Sequence, residues 1–325
     1  MSFHSRGCTR FAILACAFIA GAAGAQPYPS LRPVRLIVPT GPGGGTDLVG
    51  RVIAQKLTKS MGQSFVVDNR GGAGTTLGTE LAAKSPPDGY TLVLEHVSLA
   101  FNQSYYRKLP YDAQKDFAPI ALAAIQPYIV TVHPSLPAKT VRELVALARA
   151  RPGAIAYGSG GPGSGPFMGA ELLKYTTKTN LLHVPYRGAG LAFNDLISGQ
   201  VQVMVATASL ALPHTAAGRV RALAVTSAKR IPARPELPTV AESGVPGFDF
   251  STWYGVLAPA GTPRAIVEKL NEEITRIMDD PETRGRFAGE GLEALKSTPA
   301  EFAAFIARDV EKWAQVVKAT GLHAD

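Results

Sequence analysis

Thr40-Gly41-Pro42-Gly43-Gly44-Gly45-Thr46-Asp47 follows the apolar run Val34-Arg35-Leu36-Ile37-Val38 and precedes Leu48, Val52, Ile53 and Leu57 at helical spacing. Strand, glycine loop and helix in that order point free backbone N–H groups, and the positive end of a helix dipole, at an anion. Glycine lets the loop turn tightly and lets a ligand come close to the backbone. Side chains on Gly43-Gly44-Gly45 would block that approach, and Gly44→Val is expected to suffer from a positive φ as well. A second unit of the same make lies downstream. Ile155-Ala156-Tyr157 reads as a strand, Gly158-Ser159-Gly160-Gly161-Pro162-Gly163-Ser164-Gly165-Pro166 as the loop, and Met168 to Tyr175 as the helix. Asp68-Asn69-Arg70-Gly71-Gly72-Ala73-Gly74-Thr75-Thr76 is a third glycine-rich turn into a helix. One such loop reads equally well as a plain connection. Two cradles and a further turn predict anion-binding loops facing each other across one cleft.

Outward from these loops, strands and helices alternate, which predicts α/β layers with largely parallel sheets. Tyr90 to Leu94 is a strand ending at His96-Val97-Ser98, which puts ligand groups at the carboxyl edge of a sheet. Phe117 to Ala124 and Tyr128 to Val132, broken by Pro127, read as the first crossing between two domains. Ser251 to Leu257 reads as the return. The chain therefore divides into residues 26–124 plus 251–325 as one domain and 125–250 as the other. Thr140-Val141-Arg142-Glu143 and Thr298-Pro299-Ala300-Glu301 are capping boxes, and Thr262-Pro263 an N-cap with proline behind it. Phe302, Ile306, Val310, Trp313 and Val317 form one apolar stripe, read as core.

The first 25 residues have another purpose. Arg6 and Arg10 precede the apolar Phe11 to Ala20, and Ala23-Gly24-Ala25 supplies small residues. This is a secretory signal with cleavage before Gln26, too short to span a membrane permanently. Both cysteines, Cys8 and Cys16, fall inside it, so the exported chain has no disulfide, thiol nucleophile or cysteine metal site. Loss of Arg6 and Arg10 lowers the net charge from +8 to +6, and the remaining basic residues are scattered. Nucleic acid is thereby disfavoured as a partner, and a mild positive field suits small anions.

The first loop carries no motif of nucleotide chemistry, and no nucleophile elbow is formed at the second. No Gly-Lys-Ser/Thr closes the first loop, and neither Ser159 nor Ser164 stands in Gly-x-Ser-x-Gly. His96, His133, His183, His214 and His323 stand singly in the sequence and read as satisfied polar or surface positions. Asp47 reads as a first-turn partner of its helix dipole. Neither a metal, a cofactor nor a catalytic set is expected.

The chain resembles the Bug family, the extracytoplasmic receptors of tripartite tricarboxylate transporters. The resemblance rests on Pro39-Thr40-Gly41-Pro42-Gly43-Gly44-Gly45-Thr46-Asp47, Asn69-Arg70-Gly71-Gly72-Ala73-Gly74, Pro87-Asp88-Gly89-Tyr90-Thr91-Leu92 and Leu109-Pro110-Tyr111-Asp112. It extends through His183-Val184-Pro185-Tyr186-Arg187-Gly188, Arg221 to Ser227, Pro238-Thr239-Val240-Ala241-Glu242 and Ala258 to Pro263. It implies a two-domain type II periplasmic binding protein, each domain a mixed, mostly parallel sheet flanked by helices. It implies closure on a small carboxylate held by backbone groups of the facing loops, and delivery to a two-component membrane permease. A monomer is expected.

The ligand-contacting candidates are Thr40, Gly43, Gly44, Gly45, Thr46 and Asp47 from the first loop. Gly160, Gly161, Gly163, Ser164 and Gly165 come from the second, with Thr75, Thr76, Ser98 and Arg187 between strands and helices. Two positions depart from the family pattern: Phe167 stands where histidine is usual, and Ala206-Thr207 where aspartate or asparagine often stands. Loss of an acid there argues against an amino-acid ligand and for an aromatic or aliphatic carboxylate. A secreted hydrolase or isomerase on the same frame is the alternative.

Overall fold

The computed structural model describes Met1 and residues 28–324. The expected signal segment, apart from Met1, and its cleavage point before Gln26 lie outside the described residues. In chain order the elements are β1 (Val34–Val38), α1 (Gly45–Met61), β2 (Phe65–Asn69), α2 (Thr76–Ala83), β3 (Thr91–His96) and α3 (Ser98–Tyr105). The long β4 (Phe117–Val132) follows, then α4 (Val141–Ala150), β5 (Ala156–Ser159), α5 (Gly165–Thr177), β6 (Leu182–Pro185), α6 (Ala189–Ile197), β7 (Val203–Thr207), α7 (Ala208–Ala216) and β8 (Arg221–Val225). The chain finishes with β9 (Ser251–Pro259), α8 (Arg264–Asp279), α9 (Pro281–Gly289), β10 (Glu293–Ala294) and α10 (Pro299–Thr320).

The strand order is β2-β1-β3-β9-β4-β7-β5-β6, with β10 and β8 also paired to β4. Pairs β1–β2, β1–β3, β5–β6 and β5–β7 are parallel. Every pairing made by β4 or β9 is antiparallel. The sheet is therefore mixed: parallel towards its ends and antiparallel through its middle. Residues Phe117–Pro127 of β4 pair with β9, and Tyr128–Val132 pair with β7 and β8. Two apolar runs interrupted by Pro127 were expected here, yet one strand runs through. Pro127 sits on the last rung shared with β9, opposite Ser251, where β4 changes partners and a missing N–H costs least.

Buried apolar residues hold the layers together. Val34, Leu36 and Val38 of β1 pack with Val49, Val52 and Ile53 of α1, and the group extends to Leu270 and Ile274 of α8. A second cluster runs from Phe101 of α3 through Phe302 and Trp313 of α10 to Tyr128, Phe167 and Leu173. Phe302, Ile306, Trp313 and Val317 are buried, so the expected stripe is core. Thr298 caps α10 in a full capping box, and Thr140 caps α4. Thr262 does not cap α8: its hydroxyl donates to the Pro259 carbonyl at 2.8 Å, and Pro263 takes the cap position.

Candidate functional site

Between the two halves of the sheet lies a cavity of about 640 Å³, open mouth included. It is lined by Thr40, Gly41, Gly44, Gly45 and Thr46 from the loop before α1, and by Gly160, Ser164, Gly165 and Pro166 from the loop before α5. Pro39, Gly71, Gly72 and Thr75, Arg187 to Gly190, Thr207, and His96, Tyr128, Thr252 and Tyr254 complete the wall. The helices explain its chemistry. Seven of the ten described α-helices have no hydrogen bond from the side chain of their N-cap residue. Five of those seven, α1, α2, α5, α6 and α7, have N-cap residues Gly44, Thr75, Ser164, Gly188 and Thr207 in the cavity wall. The capped helices α4, α9 and α10 begin elsewhere. Orphan N–H groups and five positive dipole ends thus converge on one space, which favours an anion.

Side chains outside the cavity fix the loops. Asp47 turns back: its carboxylate accepts from the Gly43 N–H, Arg51 Nε and Asn69 Nδ2, each at 3.0 Å. Burial would raise its pKa, but these hydrogen bonds hold it below the ordinary carboxylate range. The second loop rests on Ser159, whose hydroxyl accepts from the Gly161 N–H at 3.0 Å and shares a 2.7 Å hydrogen bond with His183 Nε2. His183 was expected to stand alone, and no nucleophile–base pair was expected. The strands bring the two together because β5 and β6 are parallel neighbours. Ser159 is fully buried and lies outside the cavity wall, so the pair braces the loop. Below the cavity, Tyr254 donates to Gln126 Oε1 at 2.8 Å, and Gln126 Nε2 donates to the Glu290 carbonyl at 3.0 Å.

Of the candidates, Thr40, Gly44, Gly45, Thr46, Thr75, Gly160, Ser164, Gly165, Arg187 and Thr207 line the cavity. Gly43, Asp47, Thr76, Ser98, Gly161, Gly163, Phe167 and Ala206 do not. Phe167 packs edge-on to Tyr105 and tilted against His183, and Ala206 is wholly buried. Ser98 is buried at the start of α3, and the Thr76 hydroxyl donates to the Ala73 carbonyl at 2.8 Å. Gly44 has φ −94° and ψ 175°, so the expected backbone penalty on Gly44→Val is absent; positive φ falls at Gly43. A Cβ at Gly44 would meet open space.

Sequence reading missed His96, Tyr128, Thr252 and Tyr254. The tyrosines lie within the apolar crossings and read as core, and only the pairing of β4 with β9 brings them under the two helix ends. His96 is 4% exposed, and burial pushes its pKa down to about 4, so the ring is neutral. Arg187 is exposed at the mouth and has no acidic partner among the described residues.

The two halves meet over the cavity. The Tyr106 hydroxyl lies 3.2 Å from the Pro162 carbonyl and 3.4 Å from the Ala73 carbonyl. Gly74 packs so tightly beneath Pro162 that any Cβ would overlap its carbonyl. A Cβ on Gly163 would come within 2.7 Å of Asn102 Oδ1, so Gly163 serves this seam rather than the cavity.

The family described as tripartite tricarboxylate transporter family receptor matches residues 49–322. Protein BugT of Bordetella pertussis is 37% identical over 310 residues, covering 95% of each chain. The solved structure of R. palustris Rpa4515 with adipate superposes with TM-score 0.88 at 36% identity, covering 90% of this chain and 98% of that one. MatC from Rhodopseudomonas palustris with bound malate gives TM-score 0.85 at 32% identity, covering 88% and 99%.

Proposed function

Because the chain belongs to the tripartite tricarboxylate transporter receptor family, we propose that it is an extracytoplasmic receptor. It captures a small carboxylate between two lobes and hands it to a two-component membrane permease. The observation that carries this reading is the convergence of five uncapped helix N-termini on one cavity. Backbone N–H groups and Arg187 would hold the carboxylate, and closure would be favoured by the difference in contact energy between open and closed forms. The lobes are residues 26–124 with 251–325, and residues 125–250, hinged where β4 changes partners. Relatives with adipate and malate bound support this ligand class. No helix among the described residues is long and apolar enough to cross a membrane. Delivery to a permease therefore requires a partner that is, and the receptor is released into the periplasm by cleavage before Gln26 as a monomer. This reading includes no catalysis, and it is supported by the position of the Ser159–His183 pair outside the cavity wall.

The test is a melting-temperature screen against mono- and dicarboxylates, with sugars and amines as controls, followed by mass spectrometry of each added compound. A receptor is stabilised by RT ln(1 + [L]/Kd) and returns its ligand unchanged. Stabilisation by sugars or amines alone, or chemical conversion of a stabilising acid, would overturn the proposal.

A further inference from the structure

Two buried polar atoms in the cavity wall have no hydrogen-bond partner within the protein: the Thr40 hydroxyl oxygen and His96 Nε2. Their placement is matched. β1 and β3 are parallel neighbours with Ile37 opposite Val93, and three residues on from these stand Thr40, just past the end of β1, and His96, the last residue of β3. Both therefore reach the carboxyl edge of the sheet at one level. His96 Nδ1 accepts from the Ser98 N–H at 3.4 Å, which leaves the proton of a neutral ring on Nε2. A buried N–H without a partner is costly, so this donor is kept for something that enters the cavity.

Charge decides what enters. Among the described residues of the wall, Arg187 is the one cationic side chain, and it matches one carboxylate. A second carboxylate beside His96 would have only uncharged partners. Desolvating a second anion there costs more than neutral donors return.

We propose that Thr40 and His96 form an uncharged subsite for a keto or hydroxyl oxygen of the ligand, separate from the carboxylate held at the helix ends. The ligand class is then an oxo- or hydroxy-substituted monocarboxylate. This rests on the receptor reading above and refines it.

Calorimetry with pentanoate, its hydroxy and oxo derivatives at each chain position, and glutarate tests it. The best derivative should bind the wild type about 10-fold more tightly than pentanoate, and glutarate should gain nothing. Thr40→Val and His96→Leu should each shrink the derivative-to-pentanoate ratio to about 2-fold or less. His96→Gln, which keeps an N–H donor in the wall, should restore most of it, separating a lost contact from a damaged fold. Carboxylate binding with a ratio unmoved by both apolar variants, or a preference for glutarate, overturns the subsite and leaves the receptor reading standing. Failure of every carboxylate to bind overturns both.

Discussion

Gly44 and Gly45 are adjacent and do different work. A side chain at Gly44 would project into the open cavity on unstrained backbone, whereas a Cβ at Gly45 would collide with the Tyr254 hydroxyl and Gln126 Oε1. Gly44→Val should therefore keep the melting temperature of the unliganded protein and lower carboxylate affinity about 10- to 100-fold. Gly45→Ala should cost about 1–3 kcal/mol of stability by overpacking. Melting curves and calorimetry on both variants check the assignment, and the reverse pattern would refute it. Burial shifts Glu95 and His96, consecutive on β3, in opposite directions. Burial raises Glu95 to about 7, so between roughly pH 4.5 and 7 the folded chain binds a proton that the unfolded chain releases, and stability falls as pH rises. Burial lowers His96 to about 4, so the unfolded ring gains its proton first, and stability falls as pH drops below 6.5. Glu95→Gln removes the first slope. It should match the wild type below pH 4.5 and exceed it at pH 8 by on the order of 3 kcal/mol, read as melting temperature against pH. A constant offset at all pH values would mean the carboxyl does not change charge.

At the scale of the element, the two glycine cradles were legible because strand, loop and helix follow one another within a few residues. The sites they form with β4 and β9 were not, because Tyr128 and Tyr254 are far apart in sequence and sit in runs that look like plain core. His96 was invisible for another reason: a lone histidine at a strand end shows its unpaired nitrogen only after the surrounding packing is known. Phe167 was placed in the pocket because it stands where the family usually has histidine, yet the turn of α5 aims it at Tyr105 and His183 instead. Capping was the most local signal, and Thr298 and Glu301 form the reciprocal bonds their spacing predicts. Thr262 shows the limit of that signal, since a nearer carbonyl, Pro259, took its hydroxyl. Helix ends away from the cavity should behave as ordinary stability elements. Thr298→Ala is expected to cost about 1 kcal/mol, seen as a shift of the denaturant midpoint. Carboxylate affinity measured on the folded variant should stay at the wild-type value, and a fall in affinity would tie α10 to the site.

For the whole molecule, the seam above the cavity sets how firmly the two halves stay together. Tyr106 reaches Pro162 across it, so Tyr106→Phe removes a contact that exists only when the halves meet. The loss of about 0.5–1.5 kcal/mol should weaken carboxylate binding about 2- to 12-fold. X-ray scattering should show the radius of gyration falling on carboxylate binding in the wild type, and falling less in Tyr106→Phe at equal ligand. An unchanged wild-type radius at saturation would remove closure from the mechanism. The pairing of β3 with β9 carries a different kind of consequence. His96 and its neighbours bond to strand residues roughly 160 positions further along the chain. As a nascent polypeptide emerges from its N-terminus, β1, β2 and β3 are ready long before the strand that closes their edge. The half containing residues 125–250 can complete its local pairings in that interval, while the first half waits with a hydrophobic border uncovered. Such a border is where chains adhere to one another, so the hazard in this protein's biogenesis lies at the free side of β3 and ends only with the arrival of Ser251–Pro259.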